Sequence, residues 1–235
     1  MQIEIWSDVV CPWCYIGKRR LERALADFPH ADEVEVAWRS FQLDPSAPRE
    51  ATEGIAEHLG AKYGGGADAG RQMIDRVSEV AAEEGLEFSY HDARRANTVD
   101  AHRLLHLASS EGGPKLQGEL KERLLAAYFT DAQNPADHGV LSDVAVAAGL
   151  VQERVAEVLA SDEFADEVEA DIVQATAYGA TGVPFFVIDR KYGLSGAQPV
   201  ELFAQVLERA WAESHPLVHV TGGEGDACGP DGCPV

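Results

Sequence analysis

The chain has 235 residues, 46% of them hydrophobic, and its 40 acidic against 19 basic residues give a formal net charge of −21. A chain of this length and hydrophobicity can bury a sizeable core, as one large domain or as a small domain that carries an insertion. The negative charge repels nucleic-acid phosphates and anionic lipid, so we expect neither nucleic acid nor a membrane surface as a partner.

The first part of the chain predicts a strand, a helix and a second strand. Residues 2–6 alternate between apolar and polar side chains, which indicates a strand, whereas an export signal would begin with a basic segment and a long apolar one. We therefore expect a cytoplasmic protein. A helical pattern then runs from Pro12 to Pro29, and residues 34–41 alternate as a second strand.

A long helical block follows before the strand signal returns. Between about residues 50 and 177 the chain is rich in Ala, Glu and Leu at helical spacing, which predicts about five or six helices. The clearest helical stretches cover residues 69–83, 99–109, 115–129, 141–148 and 151–159. Residues 183–189 then predict a strand, a shorter strand ends near residue 196, and a helix spans residues 200–211.

Strands at both ends of a chain, with helices between them, indicate an insertion into one sheet. We predict an α/β protein whose discontinuous, sheet-containing domain comprises residues 1–49 and 178–213. The all-helical insertion comprises residues 50–177. Residues 214–235 are rich in Gly and irregular, which predicts a flexible C-terminal tail.

The sequence Cys11-Pro12-Trp13-Cys14 lies where the first strand meets the first helix. Cys11 is then the helix N-cap and Pro12 the first helical residue, where a missing N–H costs little. Unpaired N–H groups and the helix dipole stabilise a thiolate at this end, so we expect Cys11 to be an exposed nucleophile with a lowered pKa. Cys14, one turn further along, is placed to resolve a mixed disulfide.

Two other interpretations of Cys11 and Cys14 stay open at this point. The pair could bind zinc or belong to the core as reduced thiols, because a lone C-x-x-C is only moderately specific. A strand before the pair, a helix after it and a proline inside it favour redox chemistry. Lys18 and Arg19 are expected to add a weak positive field.

Residues 7–17 read Ser-Asp-Val-Val-Cys-Pro-Trp-Cys-Tyr-Ile-Gly, and residues 181–187 read Thr-Gly-Val-Pro-Phe-Phe-Val. Together with residues 97–103, which match less specifically, these segments resemble the DsbA family in its cytoplasmic FrnE-like branch of dithiol–disulfide isomerases and oxidoreductases. The resemblance covers nearly the whole chain before the tail. It implies a thioredoxin-like fold with a large helical insertion, a nucleophilic Cys11 resolved by Cys14, and no cofactor.

The resemblance also implies where substrate binds. A cis peptide bond joins Val183 to Pro184 opposite the cysteine pair, and the Val183 backbone binds an extended substrate by strand addition. A trans turn proline is the alternative at Pro184. Pro12 and Trp13 are expected in the same substrate site. Because DsbA itself has Pro-His between its cysteines, Trp13 removes an imidazolium that stabilises thiolate, and we expect a less oxidising couple.

The tail holds a second cysteine pair, Cys228 and Cys233, around a Gly-Pro-Asp-Gly turn sequence. We interpret it as a candidate second redox pair, which could exchange electrons with Cys11 and Cys14 at the high effective concentration that tethering provides. Two alternatives remain, namely bystander thiols in a flexible tail and ligands of a metal site.

Other candidate residues predict structural roles. His102 and His106 have the i, i+4 spacing of metal ligands but lack the accompanying Glu, so no metal is predicted there. We interpret Asp8 as a loop or capping aspartate, with a proton relay to Cys14 as the alternative. Residues 64–66 are three glycines without the Lys-Ser/Thr of a phosphate loop and predict a linker. The predicted core includes Trp38, Phe41 and Phe129.

The sequence therefore predicts a thiol–disulfide oxidoreductase or isomerase that acts on protein or peptide disulfides through a Cys11 mixed disulfide. Glutathione is a further candidate thiol partner. One rival is the related glutathione-transferase kappa and 2-hydroxychromene-2-carboxylate isomerase group, in which a Ser near the position of Cys11 activates glutathione. The other rival is a zinc-binding or chaperone-like module that uses the cysteines as ligands.

Overall fold

The computed structural model describes residues 1–216 and contains one mixed sheet. Its strands are β1 (Gln2–Ser7), β2 (Glu35–Ser40), β3 (Phe185–Ile188) and β4 (Tyr192–Ser195). Their order is β2-β1-β3-β4, with β1 parallel to β2 and the other neighbours antiparallel. The two ends of the chain thus share one sheet, as an insertion between them requires.

The helices of residues 1–216 account for the predicted helical block and for the two helices of the sheet-containing part. They are α1 (Pro12–Ala26), α2 (Ile55–Tyr63), α3 (Gly66–Glu83), α4 (Val99–Phe129), α5 (His138–Ala148), α6 (Gln152–Leu159), α7 (Ala165–Ala177) and α8 (Val200–Ser214). Helices α2 to α7 lie between β2 and β3, so the predicted insertion is helical. Within this part of the chain, no helix is long and apolar enough to cross a membrane.

Two helices are absent from the stretches predicted above, and one predicted break is a kink. Helix α2 is short, and α7 contains several β-branched residues, which weaken the helical signal. The predicted stretches 99–109 and 115–129 are the two halves of α4. Gly113 has a φ of 66° between them, and Pro114 follows it.

Side chains alternate between the two faces of the sheet. Ile3 and Ile5 of β1 pack with Phe186 of β3 against α1 and α8. On the opposite face, Trp6 packs with Phe185 in a cluster that includes a residue of α7. Both faces of the sheet are therefore covered, which explains why its two central strands, β1 and β3, are largely buried.

Two further apolar clusters join the insertion to the segment between β1 and α1. One contains Val9 with residues of α4, α5 and α6. The other brings Tyr15 and Ile16 of α1 together with α2, α3 and α4, and Val10 packs against both clusters. The chain immediately before Cys11, which leads out of the sheet, is therefore packed against the insertion.

Helices α2 and α3 form a hairpin with unusually close backbones. The predicted linker at residues 64–66 is the turn between them, and all three glycines have positive φ. A Cβ atom at Gly70 would overlap the carbonyl oxygen of Ala56, and one at Gly60 would overlap that of Gly66. The absence of side chains at Gly60 and Gly70 is therefore what lets the two helices meet.

This contact predicts opposite effects for two Gly→Ala substitutions in helices. Gly70→Ala should lower the free energy of unfolding by about 1–3 kcal/mol, because the added methyl group overpacks the contact. Gly118→Ala in α4 is the matched control. Its Cβ would have only one neighbour within 4 Å, the Trp38 ring nitrogen at 3.8 Å, so it should gain up to about 1 kcal/mol of helix propensity. Urea unfolding measures both, and equal effects would contradict this account of the hairpin.

Candidate active site

Cys11 and Cys14 lie at the start of α1, as predicted. Cys11 is the N-cap with φ −95° and ψ 112°, Pro12 follows at the first helical position, and the Cys14 N–H donates to the Cys11 carbonyl at 3.0 Å. Both thiols are free, and they lie close enough for each to influence the ionisation of the other. The local sequence thus places two reduced thiols side by side at a helix N-terminus.

The prediction of an exposed Cys11 is wrong. Cys11 is 3% exposed and Cys14 1% exposed. The loop that carries Val183 covers Cys11, whose thiol donates a hydrogen bond to the Val183 carbonyl oxygen at 3.5 Å. Of the two cysteines, only Cys11 lines the adjoining pocket, so this pocket is the route by which another molecule can reach the pair.

The substrate-binding residues predicted from the resemblance lie together. The Val183–Pro184 peptide bond is cis, which confirms that prediction. Helix α1 approaches Pro184 at Gly17, where a Cβ would lie 3.1 Å from the proline ring. Trp13 is 44% exposed, and it lines the same pocket as Pro12 and Val183.

The pocket beside Cys11 has a volume of about 960 Å³. This is at the upper end of the ~300–1,000 Å³ range of small-molecule sites. Three parts of the chain line it: the Cys11 turn, the Val183 loop, and the α2–α3 hairpin with neighbouring loops. Phe41, predicted to belong to the core, is partly buried against a core cluster and also lines this pocket, whereas Trp38 and Phe129 are buried as predicted.

A buried charged cluster lies behind the cysteines. It consists of Asp8, His102 and Lys121, all of them buried. Asp8 accepts the Leu43 N–H at 2.8 Å and lies 3.3 Å from Nε2 of His102. The Lys121 ammonium donates to the Ser7 carbonyl at 3.4 Å. Asp8 therefore ties the segment before Cys11 to α4, in addition to accepting a loop N–H as predicted.

The cluster decides which thiol ionises first. The neighbouring Cys14 sulfur, together with burial, raises the pKa of Cys11 well above its ordinary value. Burial opposes ionisation of Cys14, yet the neighbouring Cys11 thiol and the Lys121 charge lower the pKa of Cys14. Burial itself lowers the pKa of Lys121 to about 8. The predicted lowering at Cys11 is therefore wrong, because the neighbouring Cys14 and burial both disfavour a thiolate at Cys11.

Lys18 and Arg19 do not supply the positive field expected near the thiols, because both form ion pairs with carboxylates. Lys18 bonds Glu22 and Glu122, each at 2.5 Å, and Arg19 pairs with the same two carboxylates. Their charges are thereby neutralised at the surface of α1. Lys121 supplies the positive charge near the thiols instead.

The remaining candidates do not join the site. His106 lies 3.1 Å from both the Ser40 hydroxyl and an Asp171 carboxylate oxygen, away from the cysteines. Within residues 1–216, no group of three or more His, Cys, Asp or Glu side chains is arranged to hold a metal ion. Cys228 and Cys233 lie outside the described residues, so their redox role stays a prediction.

Comparison with known proteins adds a family and a similar structure. The profile of the family described as DSBA-like thioredoxin domain matches residues 2–208. The crystal structure of a probable DsbA oxidoreductase, SCO1869 from Streptomyces coelicolor, is 46% identical with a TM-score of 0.86. The match covers 100% of this chain and 99% of that one. These matches confirm the predicted thioredoxin-like fold with its helix-rich insertion.

Two more distant structures share the fold. Cytosolic disulfide reductase DsbM from Pseudomonas aeruginosa, solved with GSH, is 16% identical with a TM-score of 0.61, over 90% of this chain and 99% of that one. A 2-hydroxychromene-2-carboxylate isomerase is 12% identical with a TM-score of 0.66, over 91% of this chain and 98% of that one. At such low identities the likeness extends to the fold and not to the chemistry.

Removing the Lys121 charge should make the cysteine pair harder to ionise. In Lys121→Met, the pKa at which the pair loses its first proton should rise by about one unit, because an opposite charge near a thiolate is lost. Thiolate ultraviolet absorbance of the reduced protein as a function of pH measures this. Lys115→Met, an exposed residue of the same helix, is the control. An unchanged titration in Lys121→Met would show that Lys121 does not act on the thiols.

Because of His102, we expect the stability of the folded protein to fall in acid. Burial lowers the pKa of His102 below its ordinary value of 6.5. The unfolded chain therefore binds a proton that the folded protein does not, and stability should fall as the pH drops below about 6.5, by up to ~1.4 kcal/mol per pH unit. His102→Gln retains an N–H for Asp8 without titrating, so its stability should fall less.

Urea unfolding between about pH 7 and pH 5 measures this difference. His91→Gln, which changes an exposed histidine, should lose stability with falling pH as the wild type does. The same slope in His102→Gln and in the wild type would contradict the role given to His102.

Proposed function

The chain belongs to the DSBA-like thioredoxin domain family, and from this premise we propose that it is an enzyme of thiol–disulfide exchange that acts on protein or peptide disulfides. Cys11 forms a mixed disulfide with the substrate, and Cys14 resolves it. The observation that carries the proposal is that Cys11 opens onto a pocket beside the Val183 loop while Cys14 is turned toward a buried ammonium.

The first step uses the closeness of the two thiols, which lets a proton pass between them. When a substrate disulfide enters the pocket, the Cys14 thiolate takes the proton of Cys11. The Cys11 thiolate attacks one substrate sulfur, the substrate S–S bond breaks, and one substrate thiolate leaves. This proton transfer explains how Cys11 can be the nucleophile although Cys14 is the thiolate before the substrate arrives.

In the second step, the inner cysteine, Cys14, resolves the mixed disulfide. Cys14 loses its proton again, which the Lys121 charge favours, and its thiolate attacks the Cys11 sulfur of the mixed disulfide. The Cys11–Cys14 disulfide forms and the second substrate thiolate leaves. The protein dithiol is oxidised and the substrate disulfide is reduced, and the reverse sequence oxidises a substrate dithiol.

The Val183 loop supports binding of an extended substrate. Among residues 1–216 the Val183 N–H has no hydrogen-bond partner, and its carbonyl holds only the Cys11 thiol. A peptide could therefore pair with this backbone as an added strand, beside the exposed ring of Trp13. We propose a cytoplasmic enzyme of the FrnE-like branch on the sequence features given above.

Single-cysteine variants test the mechanism. With a disulfide-bonded peptide as the probe, Cys14→Ala should accumulate a mixed disulfide at Cys11, because the resolving thiolate is missing. Cys11→Ala should form at least about 100-fold less adduct, because Cys14 does not line the pocket. Intact-mass spectrometry after acid quenching measures both. An adduct on Cys14, or equal trapping by the two variants, would contradict the assigned roles.

Two substitutions at Cys11 separate the rivals. If Cys11→Ser still isomerises 2-hydroxychromene-2-carboxylate when glutathione is added, the function is that of the isomerase and not disulfide exchange. If the freshly purified protein contains stoichiometric zinc that Cys11→Ala lacks, the function is that of the zinc-binding module. The proposal predicts neither result.

A further inference from the structure

The pocket beside Cys11 is positively charged on a strongly acidic chain. Its charged lining residues are Asp44, Lys62, Arg76 and Arg95, and it is also lined by His58, whose pKa is lowered by burial. Arg95 forms an ion pair with Asp44 at 2.7 Å and a second one with Glu53 at 3.4 Å, so Arg95 contributes no unpaired positive charge. Lys62 and Arg76 then leave a net positive charge, whereas acidic residues outnumber basic ones by 40 to 19 in the whole chain.

Lys62 and Arg76 are available to bind a ligand. Neither forms a salt bridge or a side-chain hydrogen bond with another residue of the described chain; the Lys62 ammonium lies 5.6 Å from the centre of the Tyr63 ring. Both are exposed, on different helices of the α2–α3 hairpin. The close contact between these helices at Gly70 fixes the relative positions of the backbone segments that carry Lys62 and Arg76.

The same hairpin gives the pocket an apolar wall. Leu59 of α2 and Met73, Val77 and Val80 of α3 all line it. Leu59, Met73 and Val80 are partly exposed, so this wall is incompletely covered by the protein itself. A ligand that suits the pocket therefore combines an apolar body with a negative charge, and its sulfur atoms must reach Cys11.

We infer that the pocket selects small dithiol or disulfide compounds with an apolar body and a terminal carboxylate, which Lys62 and Arg76 attract. This inference rests on the proposed function, since it names the class of small thiol compound that exchanges electrons with the same cysteine pair that acts on protein or peptide disulfides. With a dithiol, one thiolate attacks the Cys11 sulfur of the protein disulfide and releases the Cys14 thiolate. The second thiolate then attacks the sulfur bound to Cys11, which releases the Cys11 thiolate and closes the compound's own disulfide. Two electrons pass to the protein.

Dihydrolipoate and dihydrolipoamide test the selection, because they differ only in a terminal carboxylate or amide. The rate constant for reducing the Cys11–Cys14 disulfide is measured for each by acid quenching and mass spectrometry. Each rate is divided by the rate of the same dithiol with hydroxyethyl disulfide, which removes differences in intrinsic reactivity. The wild type should prefer dihydrolipoate by about threefold to tenfold, since an exposed ion pair contributes up to about fivefold. High salt should reduce this preference.

The double variant Lys62→Gln/Arg76→Gln should lose the preference or favour dihydrolipoamide, because the acidic chain then repels the carboxylate. Arg71→Gln is the matched control, since Arg71 is an exposed residue of α3 that does not line the pocket. It should retain the wild-type ratio. Circular dichroism and thermal unfolding establish that each variant is folded.

The outcomes separate this inference from the proposed function. Reduction of the wild type by neither dithiol would contradict the proposed function. Reduction by both at one normalised rate, unchanged in Lys62→Gln/Arg76→Gln, would overturn the charge selection and leave disulfide exchange standing. An equal loss of preference in Arg71→Gln would overturn it as well, because the effect would then belong to overall charge.

Discussion

The site depends on one buried positive charge, the ammonium of Lys121. Removing an ammonium from water costs several kcal/mol unless nearby groups compensate. Here the Ser7 carbonyl accepts its hydrogen bond, the Trp38 ring centre lies 5.4 Å away, and Asp8 and the thiols supply negative charge. Because Lys121 belongs to α4, the insertion contributes to the redox site itself and does more than cover it.

This charge gives the two cysteines different environments. Cys14 lies toward Lys121 and is the thiol that ionises more readily, whereas Cys11 lies toward the pocket and is the thiol that a substrate can meet. Because the two thiols are neighbours, a proton can pass from Cys11 to Cys14 when a substrate arrives. The nucleophile can therefore stay protonated until a molecule that reacts with thiolates enters the pocket.

Local patterns in the sequence predict much of this structure. Strand alternation, the helix start at Pro12 and the motif around Pro184 each depend on neighbouring residues, and the structure places them as predicted. The pairing of Lys121 with the cysteines, and of His102 with Asp8, joins segments remote in sequence, and no local pattern signals it. The burial of Cys11 arises in the same way, because the Val183 loop and the insertion cover it. The exact domain limits, the cytoplasmic location and the tail cysteines stay predictions.

Competitive alkylation of the reduced wild-type protein tests the central claim most directly. A limiting amount of iodoacetamide at neutral pH, followed by peptide mass spectrometry, gives the order in which Cys11 and Cys14 are modified. The account predicts that Cys11 is modified first, because it alone of the pair lines the pocket and can pass its proton to Cys14. Modification of Cys14 before Cys11, or of neither thiol while the protein stays folded, would contradict it.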